Sequence, residues 1–364
     1  MKRVLFYDDV PIYGGHQATA ILAAEGLVAA GVEVVSAFPS TNARLHEAWK
    51  RVEGAVRLVP IEVRLTRWQP FLSPFGIAAR PVRRLLEEIA PDVVVAVQGT
   101  IVQSNRAVEQ SRRLGIPVVS FIPMGVHFAP GQWLQAAIAR VLERYHYRRP
   151  DAFITTSENA RRELAAGGAR ARTHVVYCGA DLRALRRVPR EEARRELAIS
   201  GFTVAVIGRV SFGTKGHDVA MRALSLLEGD VRLLVVGDGP DDARLGAGVQ
   251  RLPWLGDMSA VYSAIDMVAI PSRFEGLPQV ALEAMFYELP IVAADMGAMR
   301  EVLPESWLFP VDDAGAMART VRDMRARDLG HVLAANRERV VRELNAAAFG
   351  ARFTETLRTI RASR

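Results

Sequence analysis

The chain has 364 residues, half of them hydrophobic and about a quarter charged, which is ordinary for a globular protein and argues against disorder. Its length suits two domains, and no apolar run approaches the roughly 18–20 residues that span a bilayer. The short N-terminal apolar run is followed at once by Asp8 and Asp9, so it predicts a strand and not a signal peptide. A single cysteine, Cys178, excludes an internal disulfide and indicates a reducing compartment. We therefore expect a cytoplasmic protein.

The net charge of +7 lies entirely in the first half of the chain. Residues 1–180 contain 22 Lys and Arg against 15 Asp and Glu, whereas residues 181–364 contain 25 of each. This excess could attract an anionic partner or the inner face of a membrane, and a solvated basic surface is the alternative. The basic residues are not interleaved with aromatics as in nucleic-acid-binding modules, so we expect no nucleic acid.

Apolar runs of strand length alternate with helix-period stretches in both halves, which predicts parallel sheets wrapped by helices. The runs predicted as strands are RVLFYDD, VEVVSAF, VRLVPIEV, DVVVAVQG, PVVSFIP, AFITTS and THVVYCG in the first half and FTVAVIG, VRLLVVGDG, LPWLG, MVAIPS, PIVAAD and LFPV in the second. The Arg-rich stretch 180–200 separates the two series. Two doubly wound domains bind ligands at the carboxyl ends of their strands, so we expect a site in the cleft between them.

The loop after the first predicted strand, DDVPIYGGHQ, contains Gly14 and Gly15. Glycines let the backbone approach a ligand closely, and the helix N-terminus that follows favours an anion. The loop is not a complete G-x-G-x-x-G fingerprint, so it does not predict dinucleotide binding. A plain tight turn is the alternative.

The loop GRVSFGTKGHD, which follows FTVAVIG, imitates a phosphate-binding P-loop. A true P-loop needs adjacent Gly-Lys-Ser/Thr, and here Thr214 intervenes, so we exclude that class of NTPase. Arg209 and Lys215 remain as two cations that could clamp a diphosphate, and a solvated basic loop is the alternative. Lys215 is one of only three lysines, which favours a need for a compact ammonium group at this position, and chance retention is the alternative.

The segment RFEGLPQVALEAM places Glu275 and Glu283 on either side of a predicted helix start. Pro278 suits the first helical position, so Glu275 stays in the loop and Glu283 lies about five residues into the helix. The two carboxylates could hold hydroxyl groups at two ends of one ligand, with backbone N–H groups holding oxygens between them. A helix-dipole role for Glu275 with a surface Glu283 is the alternative. A glycosidase acid pair is a weaker one.

His127 follows the strand PVVSFIP at another carboxyl end, and His16 and Glu158 occupy similar strand ends. A structural histidine is the alternative for His127. No D-x-D pair and no zinc-ligand spacing is present, so we predict no metal and no cofactor. Cys178 carries no nucleophile pattern and is interpreted as buried filler.

These motifs together resemble the retaining glycosyltransferases of family four. GRVSFGTKGHD, VVGDGP, WLGD, IPSRFEGLPQVALEAM and PIVAADMGAMREV occur in that family's order and spacing, and YGGHQ and FITTSENARREL also fit. The resemblance implies the GT-B fold. Its parts would be an acceptor-binding Rossmann-like domain over 1–182, a nucleotide-sugar-binding domain over 183–346, and a helix over 347–364 that crosses back to the first domain.

The resemblance implies that the phosphates of the donor contact Arg209 and Lys215. The ribose hydroxyls would bind Glu283 and the sugar hydroxyls Glu275, with backbone donors from Gly276 and Leu277.

Further donor contacts follow by the same similarity. His127 would contact the donor sugar at the reacting centre, and the Gly14–Gly15 loop would approach it from the other domain. Trp254 and Leu255 would lie by the nucleobase. Glu301 occupies the position of another frequent acid, without an assigned role. Cys178-Gly179 replaces the usual Asn-Gly, and HFAP departs from the common His-Asp, so asparagine and acceptor contacts do not carry over.

The implied activity is transfer of a sugar from a nucleoside-diphosphate sugar, with uridine or guanosine as the base, to a glycan, glycolipid or small-molecule acceptor. Cell-envelope or exopolysaccharide biosynthesis is the expected setting. The alternatives are a sugar-nucleotide epimerase or hydrolase on this fold and a non-catalytic nucleotide-sugar-binding protein. Residues 66–86, which mix aromatic, aliphatic and arginine side chains, could dock a membrane-surface acceptor or simply pack internally.

Overall fold

The computed structural model describes residues 1–52, 54–63, 79–123, 141–229 and 231–363. The chain forms two compact units, one of Met1–Cys178 together with Ala346–Arg364 and one of Gly179–Asn345. Each unit is built on its own parallel sheet with helices packed against it. The predicted α/β class with two parallel sheets is confirmed.

The first unit has a seven-stranded parallel sheet within the described residues, in the order β3-β2-β1-β4-β5-β6-β7. The strands are β1 (Arg3–Tyr7), β2 (Glu33–Pro39), β3 (Val56–Ile61), β4 (Val93–Val97), β5 (Val118–Phe121), β6 (Ala152–Thr155) and β7 (Thr173–Val175). The order reverses between β1 and β4. Sheets of this kind bind ligands beside the carboxyl ends of such a strand pair.

Helices cover this sheet, and its central strands are buried on both faces. The helices are α1 (Gly15–Ala29), α2 (Ala43–Lys50), α3 (Arg80–Ile89), α4 (Asn105–Arg113) and α5 (Glu158–Gly167). Residues 141–146 are also helical. Every residue of β4 and β5 is buried, which is why these strands are apolar throughout instead of alternating.

The part of the second unit that the structure describes contains a six-stranded parallel sheet in the order β10-β9-β8-β11-β12-β13. Its strands are β8 (Phe202–Ile207), β9 (Val231–Val236), β10 (Val249–Leu252), β11 (Met267–Ile270), β12 (Ile291–Ala294) and β13 (Leu308–Phe309). The reversal here falls between β8 and β11. The loops after these two strands are those that carry Lys215 and Glu275.

The helices of the second unit alternate with its strands. They are α6 (Arg190–Glu196), α7 (Phe212–Lys215), α8 (His217–Ser225), α9 (Ser259–Ala264), α10 (Gln279–Phe286), α11 (Met299–Val302), α12 (Ala314–Arg325) and α13 (Gly330–Arg342). None of the helices in the described ranges combines the length and the apolar composition that a membrane span requires.

Two predicted boundaries differ from the structure. The predicted strand LPWLG is wrong, because β10 ends at Leu252 and Pro253, which lacks a backbone N–H, cannot continue the ladder. Pro278 is the N-cap of α10, with φ of −71° and ψ of 136°, so the helix begins one residue later than predicted. Glu283 is nevertheless the fifth residue of α10.

The last helix, α14 (Ala346–Ala362), packs along α1 of the first unit. A Cβ atom added to Gly26 would lie 2.3 Å from Gly350 Cα, so the two backbones touch at a point where no side chain fits. Phe353 stacks on Phe6, with 6.2 Å between ring centroids, and meets Phe121 edge-on at 5.4 Å. The end of the chain therefore completes the core beside β1 and β5.

Gly350→Val should destabilise the first unit by about 3 kcal/mol, because the new side chain forces α14 away from α1. Thermal melting of the free protein measures this. The control is Ala351→Val, which adds the same β-branched shape at an exposed position of the same helix and should cost no more than about 0.5 kcal/mol. Equal melting temperatures for the two variants would contradict the close contact.

Candidate active site

The candidate site lies where the strand order of the second sheet reverses. The loop after β8 leads through α7 into α8, and the loop after β11 leads into α10. Arg273 N–H donates to Thr214 C=O at 2.8 Å, so the two loops are joined by a backbone hydrogen bond. Ligands of open parallel sheets bind beside such a reversal.

Gly216 allows the two loops to approach this closely. It sits between α7 and α8 with φ of +68°, and a Cβ atom there would lie 1.9 Å from Pro271 C=O. Any other residue would therefore meet both backbone strain and a clash with a carbonyl. The glycine places Lys215, its neighbour, against the end of β11.

Lys215, Ser272 and Glu275 form one cluster at this reversal. The Lys215 ammonium donates to Glu275 Oε1, and the Ser272 hydroxyl donates to the same oxygen at 3.2 Å. The Lys215 and Glu275 side chains are 28% and 14% exposed, so both remain within reach of a ligand. A small pocket lies directly between these side chains and Pro278. Lys215, predicted to contact the donor diphosphate, and Glu275, predicted to contact the sugar hydroxyls, are therefore neighbours in the free protein.

Arg209 follows Gly208 at the end of β8. Its side chain is exposed and makes no hydrogen bond or ion pair within the described ranges. The structure therefore does not bring Arg209 into the Lys215–Glu275 contact. Its guanidinium is available to an anionic ligand at the mouth of the same loop.

Glu283 lies on α10 facing the interior of the second unit. The Tyr262 hydroxyl donates to Glu283 Oε2 at 2.5 Å, and the Tyr262 ring stacks on Tyr287 with 5.2 Å between centroids. Burial raises the pKa of Glu283, and the hydrogen bond from Tyr262 opposes that rise. One carboxylate oxygen is thus oriented by Tyr262, a partner that sequence analysis missed because no local pattern links α9 to α10.

The segment between the two glutamates forms the turn into α10. Gly276 is partly exposed, whereas the Leu277 side chain is 6% exposed and anchors the turn. Beyond β10, Trp254 is 54% exposed, and its backbone N–H donates to Asp238 Oδ2 at 3.1 Å. Leu255 beside it is partly buried. Trp254 is therefore a large aromatic surface held in place by the loop after β9.

In the first unit the Gly14–Gly15 loop follows β1 at the other reversal. Gly14 N–H donates to Gln17 Oε1 at 2.8 Å, and Gln17 Nε2 donates to Asp8 Oδ2 at 2.6 Å. A Cβ atom added to Gly15 would meet nothing within 4 Å, so this part of the loop is open. Asp8 and Gln17 thus fix the loop, a role that the sequence analysis did not assign to either residue.

The buried Asp8 carboxylate has an unusual pKa. Burial raises it to about 7, with the neighbouring Asp9 charge adding to the rise, while hydrogen bonds from Val10 N–H and Gln17 oppose it. His16, the second residue of α1, shows the opposite shift, because burial lowers its pKa to about 4. His16 is therefore neutral at physiological pH.

Asp8 should make the protein less stable as pH rises from about 4 to 7. The protonated carboxyl is favoured in the folded state, so its stabilisation is complete below the unfolded-state pKa of about 4 and is lost as pH passes the folded-state value. The difference between the two pKa values corresponds to at most about 4 kcal/mol in the free energy of unfolding. Asp8→Asn should flatten the melting temperature between pH 4 and 7.

Asp323→Asn, at an exposed position of α12, is the matched control for this pH profile. It should keep the wild-type slope. A slope that is unchanged in Asp8→Asn would show that the buried carboxyl does not titrate in this range.

Other sequence candidates are placed as follows. His127 lies outside the described residues. Cys178 is buried, and burial raises its pKa to about 12, so its thiolate is disfavoured. The Glu301 C=O accepts from Arg339 at 3.3 Å. No group of three or more metal-ligating side chains converges in the part of the chain that the structure describes.

Two models of known protein families match this chain. A model described as glycosyl transferases group 1 matches residues 201–326, and one described as a glycosyl transferase 4-like domain matches residues 14–179. The two together cover most of the chain. The chain belongs to the glycosyltransferases that these two models describe. The predicted enzyme class is confirmed.

Two relatives are similar to parts of the chain of different length. A GDP-mannose-dependent alpha-mannosyltransferase of Mycobacterium tuberculosis (strain CDC 1551 / Oshkosh) is 27% identical over 304 residues, which is 81% of this chain and 79% of the relative. A D-inositol 3-phosphate glycosyltransferase of Mycobacterium marinum is 34% identical over 148 residues, 35% of this chain and 31% of the relative. The latter match thus spans about a third of that relative.

Two solved structures resemble the fold over its full length. Sucrose-phosphate synthase from Thermosynechococcus elongatus has a TM-score of 0.80 at 19% identity and covers all of both chains. Anabaena Alr3699/HepE, solved with UDP and glucose, has a TM-score of 0.80 at 18% identity over 99% of this chain and all of its own. These likenesses confirm the predicted GT-B fold.

Proposed function

We propose that this glycosyltransferase moves a sugar from a nucleoside-diphosphate sugar to a hydroxyl of a glycan, glycolipid or small molecule, with retention of anomeric configuration. The observation that carries the proposal is the cluster of Lys215, Ser272 and Glu275 at the reversal of the second sheet. A cation suited to phosphate and a carboxylate suited to sugar hydroxyls lie side by side there.

Bond breaking leaves negative charge on the departing nucleoside diphosphate. The compact ammonium of Lys215 and the exposed guanidinium of Arg209, both carried by the segment after β8, stabilise this charge. The N-terminus of α10 adds backbone N–H groups beside Glu275. In the free protein Glu275 holds the Lys215 ammonium, so donor binding exchanges a carboxylate for a phosphate as its partner.

Glu283 and Trp254 suit the nucleoside end of the donor. The Glu283 carboxylate, oriented by Tyr262, can accept from two adjacent ribose hydroxyls. Trp254 offers an exposed aromatic face against which a base can stack. His127 and the Gly14–Gly15 loop are assigned to the transferred sugar by the family resemblance.

Both uridine and guanosine donors are supported by the relatives. The mycobacterial relative is named as GDP-mannose-dependent, and an Anabaena HepE structure contains UDP-glucose. A calorimetric titration of the protein with UDP and with GDP tests which base the site prefers. Cell-envelope or exopolysaccharide biosynthesis is the proposed setting, with support from a similar solved structure, WaaG (TM-score 0.69, 16% identity), which is described as a glycosyltransferase involved in lipopolysaccharide biosynthesis.

The direct test measures release of nucleoside diphosphate from a set of UDP and GDP sugars, with and without cell-envelope glycolipids as acceptors. The proposal expects release that depends on an acceptor and product with the donor's anomeric configuration. Release that is independent of acceptor would favour a hydrolase or epimerase. Binding without turnover of any donor would favour a non-catalytic nucleotide-sugar-binding protein.

The acceptor is proposed to be presented at an anionic membrane surface. The support is the excess of basic residues in 1–180. Co-sedimentation with vesicles containing anionic lipid should occur at low salt and disappear at high salt. Absence of binding at low salt would contradict this part of the proposal.

A further inference from the structure

Arg273 lies in the loop after β11, two residues before Glu275, and contacts three separate segments of the second unit. Its guanidinium donates to Phe212 C=O on α7, to both carboxylate oxygens of Asp218 at 3.0 and 2.9 Å, and to Asp312 at 2.6 Å. Asp218 belongs to α8, and Asp312 follows β13. One side chain therefore ties α7, α8 and the loop after β13 to the loop that carries Glu275.

These contacts fix the orientation of the Arg273 guanidinium. Asp218 binds the guanidinium through both oxygens, an arrangement that specifies orientation as well as charge. The Arg273 side chain is only 21% exposed. Burial acts to raise the pKa of Asp218, but the hydrogen bonds and charge of Arg273, together with a backbone N–H and the charge of Arg222, hold that pKa below its usual range. Asp312 adopts a left-handed backbone at φ of +68°, which a non-glycine residue adopts at some cost.

The contacts of Arg273 bracket Lys215 in the sequence. Phe212 begins α7, Lys215 ends it, and Asp218 lies in the first turn of α8. The Arg273 backbone N–H also donates to Thr214 C=O at 2.8 Å, next to Lys215. Arg273 thus holds the segment that carries the Lys215 ammonium. Arg273 itself belongs to the loop that carries the Glu275 carboxylate.

Arg273 is not placed to bind phosphate itself. Its terminal nitrogens donate to Phe212 C=O, Asp218 and Asp312, and two carboxylates surround its charge. An incoming phosphate would meet those carboxylates at the same point and be repelled. Arg209, exposed at the mouth of its loop, has the opposite environment.

We propose that Arg273 is a positioning residue that sets the distance between the Lys215 ammonium and the Glu275 carboxylate, and so the fit of the donor diphosphate. Asp218 and Asp312 hold it in place. The proposal rests on the function proposed above. Arg273 acts through Lys215 and has no contact with the donor.

The test compares Arg273→Lys with the wild type in binding of UDP and GDP by calorimetry and in transfer kinetics. Lysine keeps the charge and cannot bridge all of these partners at once. We expect kcat/KM for the donor to fall about 100-fold, since small displacements of catalytic groups have costs of this size. Nucleoside-diphosphate affinity should fall about tenfold. Arg300→Lys is the control, at an exposed arginine of α11 that pairs with Asp295, and it should change neither quantity.

A double-mutant cycle separates positioning from general support of the fold. In a Lys215→Ala background, Arg273→Lys should weaken nucleoside-diphosphate binding no more than about twofold, because the group it positions is gone. Full additivity of the two effects, or wild-type binding and turnover in Arg273→Lys, would overturn the proposal.

A milder variant keeps the test decisive if Arg273→Lys does not fold. Asp312→Asn retains a residue that tolerates the left-handed backbone and removes one anchoring charge. It should lower affinity and kcat/KM in the same direction by a smaller factor, and unchanged values would count against the proposal. If the wild-type protein bound neither UDP nor GDP and transferred no sugar, the proposed function would fail and this inference with it.

Discussion

Lys215→Ala should reduce the rate of sugar transfer by about 100- to 1,000-fold, the range typical for loss of one preorganised group that stabilises developing charge. The ammonium lies beside Glu275 and Ser272 at the reversal of the second sheet, where the departing diphosphate is proposed to bind. Glu275 keeps the Ser272 hydroxyl as a donor when the ammonium is removed, so we expect the loss of stability to be small beside the loss of transfer. Steady-state transfer assays and thermal melting measure the two effects separately.

Lys50→Ala is the matched control for this variant. Lys50 is an exposed lysine at the end of α2, and it pairs with Glu47 at 2.9 Å. It belongs to the first unit, whereas the Lys215 cluster belongs to the second. Its removal should change neither transfer nor melting. Near-normal turnover in Lys215→Ala would overturn the assignment of the cluster as the phosphate site.

Gly216→Ala should destabilise the second unit by about 3 kcal/mol. The new Cβ would lie 1.9 Å from Pro271 C=O, and a φ of +68° is strained for alanine. A backbone carbonyl cannot rotate away as a side chain can, so the turn from α7 to α8 must shift. The melting temperature should fall by about 10 °C, and the rate of sugar transfer should also fall because Lys215 is displaced.

Gly213→Ala tests whether this effect belongs to the position or to any glycine of the loop. Gly213 lies three residues earlier, in α7, and a Cβ atom there would meet nothing within 4 Å. Its replacement should leave the melting temperature unchanged or raise it slightly, since glycine is a poor helix former. A similar loss in both variants would show that the contact with Pro271 is not responsible.

The local elements were predictable because their causes are local. A run such as VVVAV is apolar throughout because both faces of a central parallel strand are covered, and it forms β4 as expected. The turn Gly-Leu-Pro places Glu275 outside α10 and Glu283 inside it, within one residue of the prediction. LPWLG was predicted wrongly because its apolar composition outweighed the missing N–H of Pro253.

Partners from distant parts of the chain were not predictable. Tyr262 orients Glu283 from another helix, and Arg273 reaches α7, α8 and the loop after β13. No spacing in the sequence distinguishes Arg273 from the many other arginines of the chain. Its role depends on which carboxylates the folded loops bring to it.

The sequence by itself determined the alternation of strands and helices, the glycine-rich loops that follow β1 and β8, and the two glutamates around one helix start. Hydrophobic period, turn chemistry and proline geometry act within a few residues and leave their record there. Only the tertiary structure decided where each sheet reverses, that Gly26 and Gly350 touch, and that Lys215 meets Glu275 across 60 residues of chain. Such contacts follow from strand order and close packing, which the local pattern does not encode.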